Sequence, residues 1–171
     1  MSIYKIPLQE NVLDASAERI DWTLNNFSRV CVSFSGGKDS TVMLHLVAQQ
    51  ARQLKRKIDV IFLDWEAQFS STIQHVDTMR TQYRDVIHQF WWVALPLTTQ
   101  NALSQFQPEW QCWEPGTNWV RQPPEDAITD YHYFDFYQQG MTFEVFVREF
   151  AEWYAQKRPA AVMVGIRADE S

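Results

Sequence analysis

The chain has 171 residues, 46% of them apolar, and carries a net charge of −6. That length and apolar share suit one domain with a core of its own. The lack of a membrane-length apolar run or a signal peptide gives the expectation of a soluble cytoplasmic protein with no membrane partner. The negative balance argues against nucleic-acid binding by the surface as a whole, while a local basic pocket for an anionic nucleotide stays compatible with it. Two cysteines, Cys31 and Cys112, do not make a disulfide framework.

Residues 1–10 read as an extended lead-in. Asn11 or Asp14 is placed to cap a helix running to about Phe27, with Val12, Ala15, Ile20, Leu24 and Phe27 near one face. The first strand covers about 29–34, a short apolar run rich in β-branched residues, as a buried parallel strand requires. Cys31 lies in its middle and reads as a small buried apolar residue.

The next residues are Ser35-Gly36-Gly37-Lys38-Asp39-Ser40, and a helix pattern follows to about Leu54. Strand, glycine turn and helix in that order make an anion cradle. Adjacent glycines let backbone N–H groups approach a ligand with no Cβ in the way. The helix start offers unpaired N–H groups and the positive end of its dipole. Ser35 and Ser40 add hydroxyls, and Lys38 adds a mobile charge. Asp39 is unfavourable beside a phosphate unless a cation or a reacting proton lies between them. It therefore reads as a Mg²⁺ ligand or a water-positioning residue. A Walker A loop does not fit, because Val32 occupies its first glycine position and Asp39 follows the lysine. A Gly-x-Gly-x-x-Gly fingerprint does not fit either, since no third glycine follows.

The basic cluster Arg52, Lys55, Arg56 and Lys57 suits the dipole at the C-terminal end of that helix, a reading favoured over a nucleic-acid patch. The second strand is Ile58 to Asp64. Its carboxyl end, Asp64-Trp65-Glu66, falls beside the glycine loop, where open parallel sheets bind ligands. Asp64 or Glu66 is placed to meet a ribose hydroxyl or a metal; a solvated strand end is the plain alternative. Ser70 or Ser71 caps a helix to about Val86, and Gln89 to Leu95 forms the third strand. A further helix is expected from Thr98-Thr99 to about Phe106.

Residues 107–139 are the least regular stretch, rich in Trp, Tyr and Pro. Long connections of this kind are functional or are insertions. One reading is a lid or platform, with Trp faces for stacking, Arg121 for an anion and a surface for a protein partner. The other is a satellite core packed on the sheet. Cys112 has no neighbour in sequence that clearly lowers its pKa, so a redox role is weakly supported. His132, without partners, is weak evidence for a metal or a base. Thr142 caps the last helix, with Phe143, Phe146, Val147, Phe150, Trp153 and Tyr154 at core spacing. Lys157-Arg158-Pro159 end it. Ala160 to Val164 is a further buried strand, Gly165 turns the chain, and Arg167 reaches the edge that carries Ser35–Ser40. Arg167 can hold phosphate or sulfate bidentately, or pair with Asp169 or Glu170. The fold class is α/β: an open, mostly parallel twisted sheet of about five strands with helices on both faces, over one domain of residues 1–171.

Ser-Gly-Gly-Lys-Asp-Ser resembles the PP-loop of the adenine nucleotide α-hydrolase-like superfamily, and Ser33 to Leu46 looks most like its phosphoadenylylsulfate (PAPS) reductase branch. Val164-Gly165-Ile166-Arg167-Ala168-Asp169-Glu170-Ser171 is similar to a second segment of PAPS-reductase-like proteins. Trp110 to Arg121 and Phe134 to Trp153 resemble an uncharacterised bacterial and phage branch. That branch continues well past Asp-Glu-Ser, which implies that this sequence is shortened at its C-terminus.

The resemblance implies a site for ATP or PAPS built from Ser35, Gly36, Gly37, Lys38, Asp39, Ser40, Asp64, Gly165 and Arg167. Lys38, Asp39 and Arg167 would be the reacting set, with Asp39 the residue for any Mg²⁺. PAPS reductases carry Asp-Thr-Gly where this chain has Asp64-Trp65-Glu66. They also use a cysteine in a Glu-Cys-Gly-Leu-His segment that is missing here, as are Cys-x-x-Cys pairs for an iron–sulfur cluster or zinc. The implied activity is ATP α–β cleavage with adenylation, or a sulfur-related transfer. Sulfite-forming reduction and a non-catalytic nucleotide-sensing subunit are the alternatives.

Overall fold

A computed structural model describes residues 9–101 and 106–166. Four strands, β1 (Arg29–Ser33), β2 (Ile58–Leu63), β3 (Ile87–Val93) and β6 (Ala160–Val164), form one parallel sheet in the order β3-β2-β1-β6. Helices α1 (Val12–Asn26), α2 (Lys38–Gln53) and α3 (Ser70–Gln82) precede and connect the first three strands, and α4 (Phe143–Ala155) leads into β6. The fold class is the expected α/β with a parallel sheet. Its main sheet has four strands among the described residues, not about five.

The sheet sorts its side chains by the two-residue period of a strand. Val30, Val32, Val60 and Phe62 pack with Ile20 and Leu24 of α1, Leu44 and Val47 of α2, and Val76 and Met79 of α3. Cys31, Ile61 and Trp91 face the other way, onto Phe146, Phe150 and Tyr154 of α4 and onto residues 112–137. Cys31 is fully buried, as expected, and burial pushes its thiol far up.

Local signals set most boundaries. Asn11 caps α1, its Oδ1 accepting from Asp14 N at 2.9 Å. Thr142 caps α4 through Val145 N. The cap of α3 is Phe69, not a serine, and α3 ends at Gln82, four residues before the expected Val86. There Tyr83 N bonds Met79 O and Val86 N bonds back to Tyr83 O, which turns the chain into β3. The third strand also starts and ends two residues earlier than expected, because Ile87 already pairs with Ile58.

The helix expected from Thr98 to about Phe106 does not begin at Thr98. Thr98–Gln100 is strand β4, antiparallel to β5 (Glu109–Gln111). Its two β-branched threonines suit a pleated surface. Further bonds from Thr98 N to Met141 O (3.1 Å) and from Asn101 N to Pro108 O (2.8 Å) complete the pairing. Residues 102–105 lie outside the described residues.

The stretch 107–139 wraps onto the sheet. Ile128 bridges to the outer edge of β3, donating to Trp92 O at 2.7 Å and accepting from Ala94 N at 2.9 Å. Cys112, Trp113, Phe134 and Tyr137 are buried in the α4-side core, so the packing role holds for them. Trp113, at 1% exposure, is not free to stack on a base.

Candidate functional site

All four sheet strands are parallel, so their carboxyl ends share one edge. The chain steps outward from β1 to β2 to β3 and then returns to β6 on the other side of β1. The order reverses between β1 and β6, and the carboxyl ends at such a reversal are the usual ligand position in these sheets. The glycine loop leaves β1 there, and Gly165 leaves β6 there.

Two hydroxyls tie the loop together. Ser40 Oγ accepts from Ser35 N at 3.2 Å, lies 2.9 Å from Ser35 Oγ, and is 3.1 Å from Gly37 O. Gly37 is the N-cap of α2 and has no side chain with which to cap it. The first helical bond runs from Thr41 N to Gly37 O at 2.9 Å. The amides of the turn before it stand outside the helical ladder; Ser35 N and Gly37 N donate to the Ser40 and Ser35 hydroxyls, at 3.2 and 3.4 Å.

Each of two glycines is required by a specific contact. Gly36 has φ +75°, and a Cβ there would lie 2.9 Å from the methyls of Thr72 and Val76 on α3. A Cβ on Gly165 would lie 3.1 Å from Ser40 N and Cα and 3.2 Å from Asp39 C. Backbone thus meets backbone where β6 ends on the first turn of α2.

Lys38 and Asp39 flank the loop as an exposed pair, Nζ to Oδ2 at 2.6 Å, with side chains 76% and 36% exposed. A pair so exposed is held weakly, which leaves the Lys38 ammonium free to turn to an incoming anion. Asp39 also sits in the first turn of α2, where a carboxylate suits the dipole.

Asp64 ends β2 on the same edge, but its carboxylate faces protein. The side chain is fully buried and is paired with Arg121. It also accepts from Trp92 Nε1 at 2.7 Å and from Glu66 N at 3.0 Å. Trp113 Nε1 donates to Asp64 O at 2.6 Å. Glu66 is buried with φ +59°, and its two carboxylate oxygens accept from Trp113 N (2.6 Å) and Val120 N (2.9 Å). The two acids therefore clamp the 107–139 stretch onto the carboxyl end of β2. Arg121 lies over the Trp113 ring at 5.1 Å.

The structure thus brings Ser35, Gly36, Gly37, Lys38, Asp39, Ser40 and Gly165 together and turns Asp64 away into the clamp. Arg167 lies outside the described residues. Cys112 is buried, its Sγ 3.5 Å from Leu95 O and Leu97 O, and burial pushes its thiol up to about 12. Among the described residues no cluster of three or more His, Cys, Asp or Glu could hold a metal by itself. A lone Asp39 is compatible with Mg²⁺ only if phosphate oxygens supply further ligands, which is how Mg²⁺ is ordinarily held.

One neighbour of the loop is not legible in the sequence. His75 Nε2 lies 2.9 Å from Thr41 Oγ1, which in turn bonds Gly37 O at 2.7 Å. With Thr72 and Val76 it forms the face of α3 that closes on the loop. The helical spacing 72, 75, 76 marks that face, but nothing in sequence links it to Thr41.

A family model described as the phosphoadenosine phosphosulfate reductase domain matches residues 29–171. The uncharacterized protein YbdN of Escherichia coli (strain K12) is 71% identical over all 171 residues, and this chain spans 42% of its length. A solved structure of NH3-dependent NAD synthetase from Campylobacter jejuni, in complex with nitrate ion, is similar over 45% of this chain and 33% of that one. Its identity is 15% and its TM-score 0.36, a likeness that carries no argument about function. No helix among the described residues is long and apolar enough to cross a membrane.

Proposed function

Because the chain belongs to the phosphoadenosine phosphosulfate reductase domain family, which binds nucleotides, we propose that it binds ATP or PAPS at the carboxyl ends of β1 and β6. We further propose that it uses ATP for α–β cleavage. The observation that carries the reading is the Gly36–Ser40 loop opening α2 at the switch point, with Gly165 backbone closed against it. Loop amides and Lys38 stabilise the phosphate charge. Mg²⁺, when bound with the nucleotide, would neutralise phosphate oxygens beside Asp39. A substrate oxygen attacks the α-phosphorus, the bond to the bridging α–β oxygen breaks, and pyrophosphate leaves with that electron pair. Arg167, two residues past Gly165, is assigned to the bound or departing anion. Asp64 enters this account as the residue that anchors the strand end, not as a ribose ligand.

Sulfur chemistry through Cys112 finds no support in its burial and raised pKa. Transfer from PAPS therefore calls for a thiol supplied from elsewhere. Protein incubated with ATP or PAPS, followed by assay of pyrophosphate and sulfite, separates the reactions. Pyrophosphate formation that depends on Lys38 supports adenylation. Sulfite formation with an added thiol replaces adenylation by sulfonucleotide reduction. Binding without either product reduces the assignment to a nucleotide sensor.

A further inference from the structure

The opposite edge of the sheet has a different character. Parallel pairing puts the starts of all four strands on one line, with Arg29 level with Ala160 and Ile58 level with Ile87. Four strands at about 4.8 Å spacing make that line about 15 Å long. One cation opens β1, four lie between Arg52 and Lys57 ahead of β2, one precedes β3, and two precede β6, out of 15 Lys and Arg in the chain. On the same segments the only acids are Asp59 and Asp85. A protein of net charge −6 has therefore gathered more than half of its cations along one edge.

Half of these cations are engaged: Arg29 lies over Tyr154, Arg52 is ion-paired, and Arg56 and Lys57 donate to Ser28 O and Asp85 O. Among the described residues Arg52 pairs with Asp85, while Lys55, Arg84, Lys157 and Arg158 are exposed and have no acidic partner. Asp59 is the buried acid of this edge. It is 8% exposed and is held by Tyr154 Oη at 2.8 Å, Gln89 N at 3.1 Å and His88 Nδ1 at 3.1 Å. At the centre of the edge Arg29, Lys57, Asp59 and His88 line a cleft of about 350 Å³. The Arg29 guanidinium lies over the Tyr154 ring, 4.3 Å from its centre.

We propose that this edge binds the phosphate backbone of a nucleic acid. A linear array of cations suits a linear polyanion, whose affinity comes from phosphate contacts alone. An acidic protein fits less well, because protein interfaces rest on buried apolar or aromatic anchors. None of the exposed large apolar residues, among them Trp22, Phe69 and Ile166, falls on these four segments. The proposal does not depend on the nucleotide site, which lies at the other ends of the same strands.

The test is binding of a labelled 20-nucleotide single strand of mixed sequence, followed by fluorescence anisotropy between 50 and 200 mM KCl. Contact with about four phosphates gives a log–log salt slope near −3, so affinity falls about 50-fold across that range. Lys55→Gln, Arg84→Gln, Lys157→Gln and Arg158→Gln together should flatten the slope and weaken binding at 50 mM at least tenfold. The Glu versions should abolish it. Thermal melting checks that both variants are folded, and the neutral set guards against failure of the Glu set. No binding at 50 mM by the wild type, or an unchanged slope in the neutral variant, overturns the proposal. Equal or tighter binding of poly-glutamate would identify an acidic protein partner instead. Equal or tighter binding of phosphatidylserine vesicles would identify a membrane surface.

Discussion

Replacing Arg121 by Met tests the clamp that joins the 107–139 stretch to the end of β2. The substitution keeps most of the stem and removes the charge. Arg121 is 20% exposed and the Asp64 side chain is fully buried, so the loss leaves a carboxylate stranded in the interior. Breaking a buried pair in this way costs about 3–5 kcal/mol. Trp92 Nε1 and Glu66 N still donate to that carboxylate, which favours the lower figure, about 3 kcal/mol. Equilibrium urea unfolding followed by tryptophan fluorescence reads the loss directly. Asp64→Asn, destabilising alone, should cost about 2 kcal/mol less when Arg121→Met is already present, because no uncompensated charge remains. A cost below about 1 kcal/mol for Arg121→Met refutes the clamp. So does additivity of the two substitutions to within about 0.5 kcal/mol.

Other consequences are equally specific. Gly36→Ala meets both a left-handed backbone and two methyls at 2.9 Å, so it should cost about 2 kcal/mol or more and shift the amide resonances of Thr72 and Val76. His75→Ala should speed hydrogen exchange at the Gly37–Ser40 amides, and His75→Gln, which keeps a donor, should restore it; equal exchange in all three proteins contradicts the His75–Thr41–Gly37 chain. Cys112, with its thiol pushed up to about 12, is only about one part in 10⁴ thiolate at pH 8. It should therefore resist a disulfide reagent until the protein unfolds, whereas prompt labelling of native protein would show the burial to be wrong. The Arg52 guanidinium holds the Asp85 carboxyl below its ordinary value. The stability from this pair is present above the unfolded pKa of about 3.9 and is lost as pH falls through the lower folded value. Arg52→Met should shrink that part of the acid limb of an unfolding profile.

Legibility in the sequence followed the range of the interactions. The β1–loop–α2 unit was readable because its β-branched run, two glycines and helix pattern are contiguous, and the same is true of the caps at Asn11 and Thr142. Thr98–Gln100 reads in sequence as the start of a helix because its pairing partners lie at Glu109–Gln111 and Met141. No pattern within a few residues of Thr98 reports them. Asp64 and Glu66 fall at the carboxyl end of β2 in sequence and structure alike, yet their partners include Trp113, Val120 and Arg121, about 50 residues away. A buried acid and an exposed one look alike in sequence. The basic edge shows the same limit: its segments are scattered between Arg29 and Arg158, and only the parallel sheet lines them up.

The most direct test of the account is calorimetric titration of the protein with ATP and with PAPS, each with and without Mg²⁺, alongside Lys38→Ala. The account predicts saturable binding of at least one nucleotide, weakened about tenfold or more in Lys38→Ala, the loss expected of one charge-assisted contact of about 1.5–3 kcal/mol. Mg²⁺-dependent preference for ATP would support the adenylation reading with Asp39 beside the metal. Metal-independent preference for PAPS would move the assignment to sulfonucleotide chemistry. No binding of either nucleotide, or equal binding by Lys38→Ala, would contradict the claim that the Gly36–Ser40 loop is a phosphate cradle.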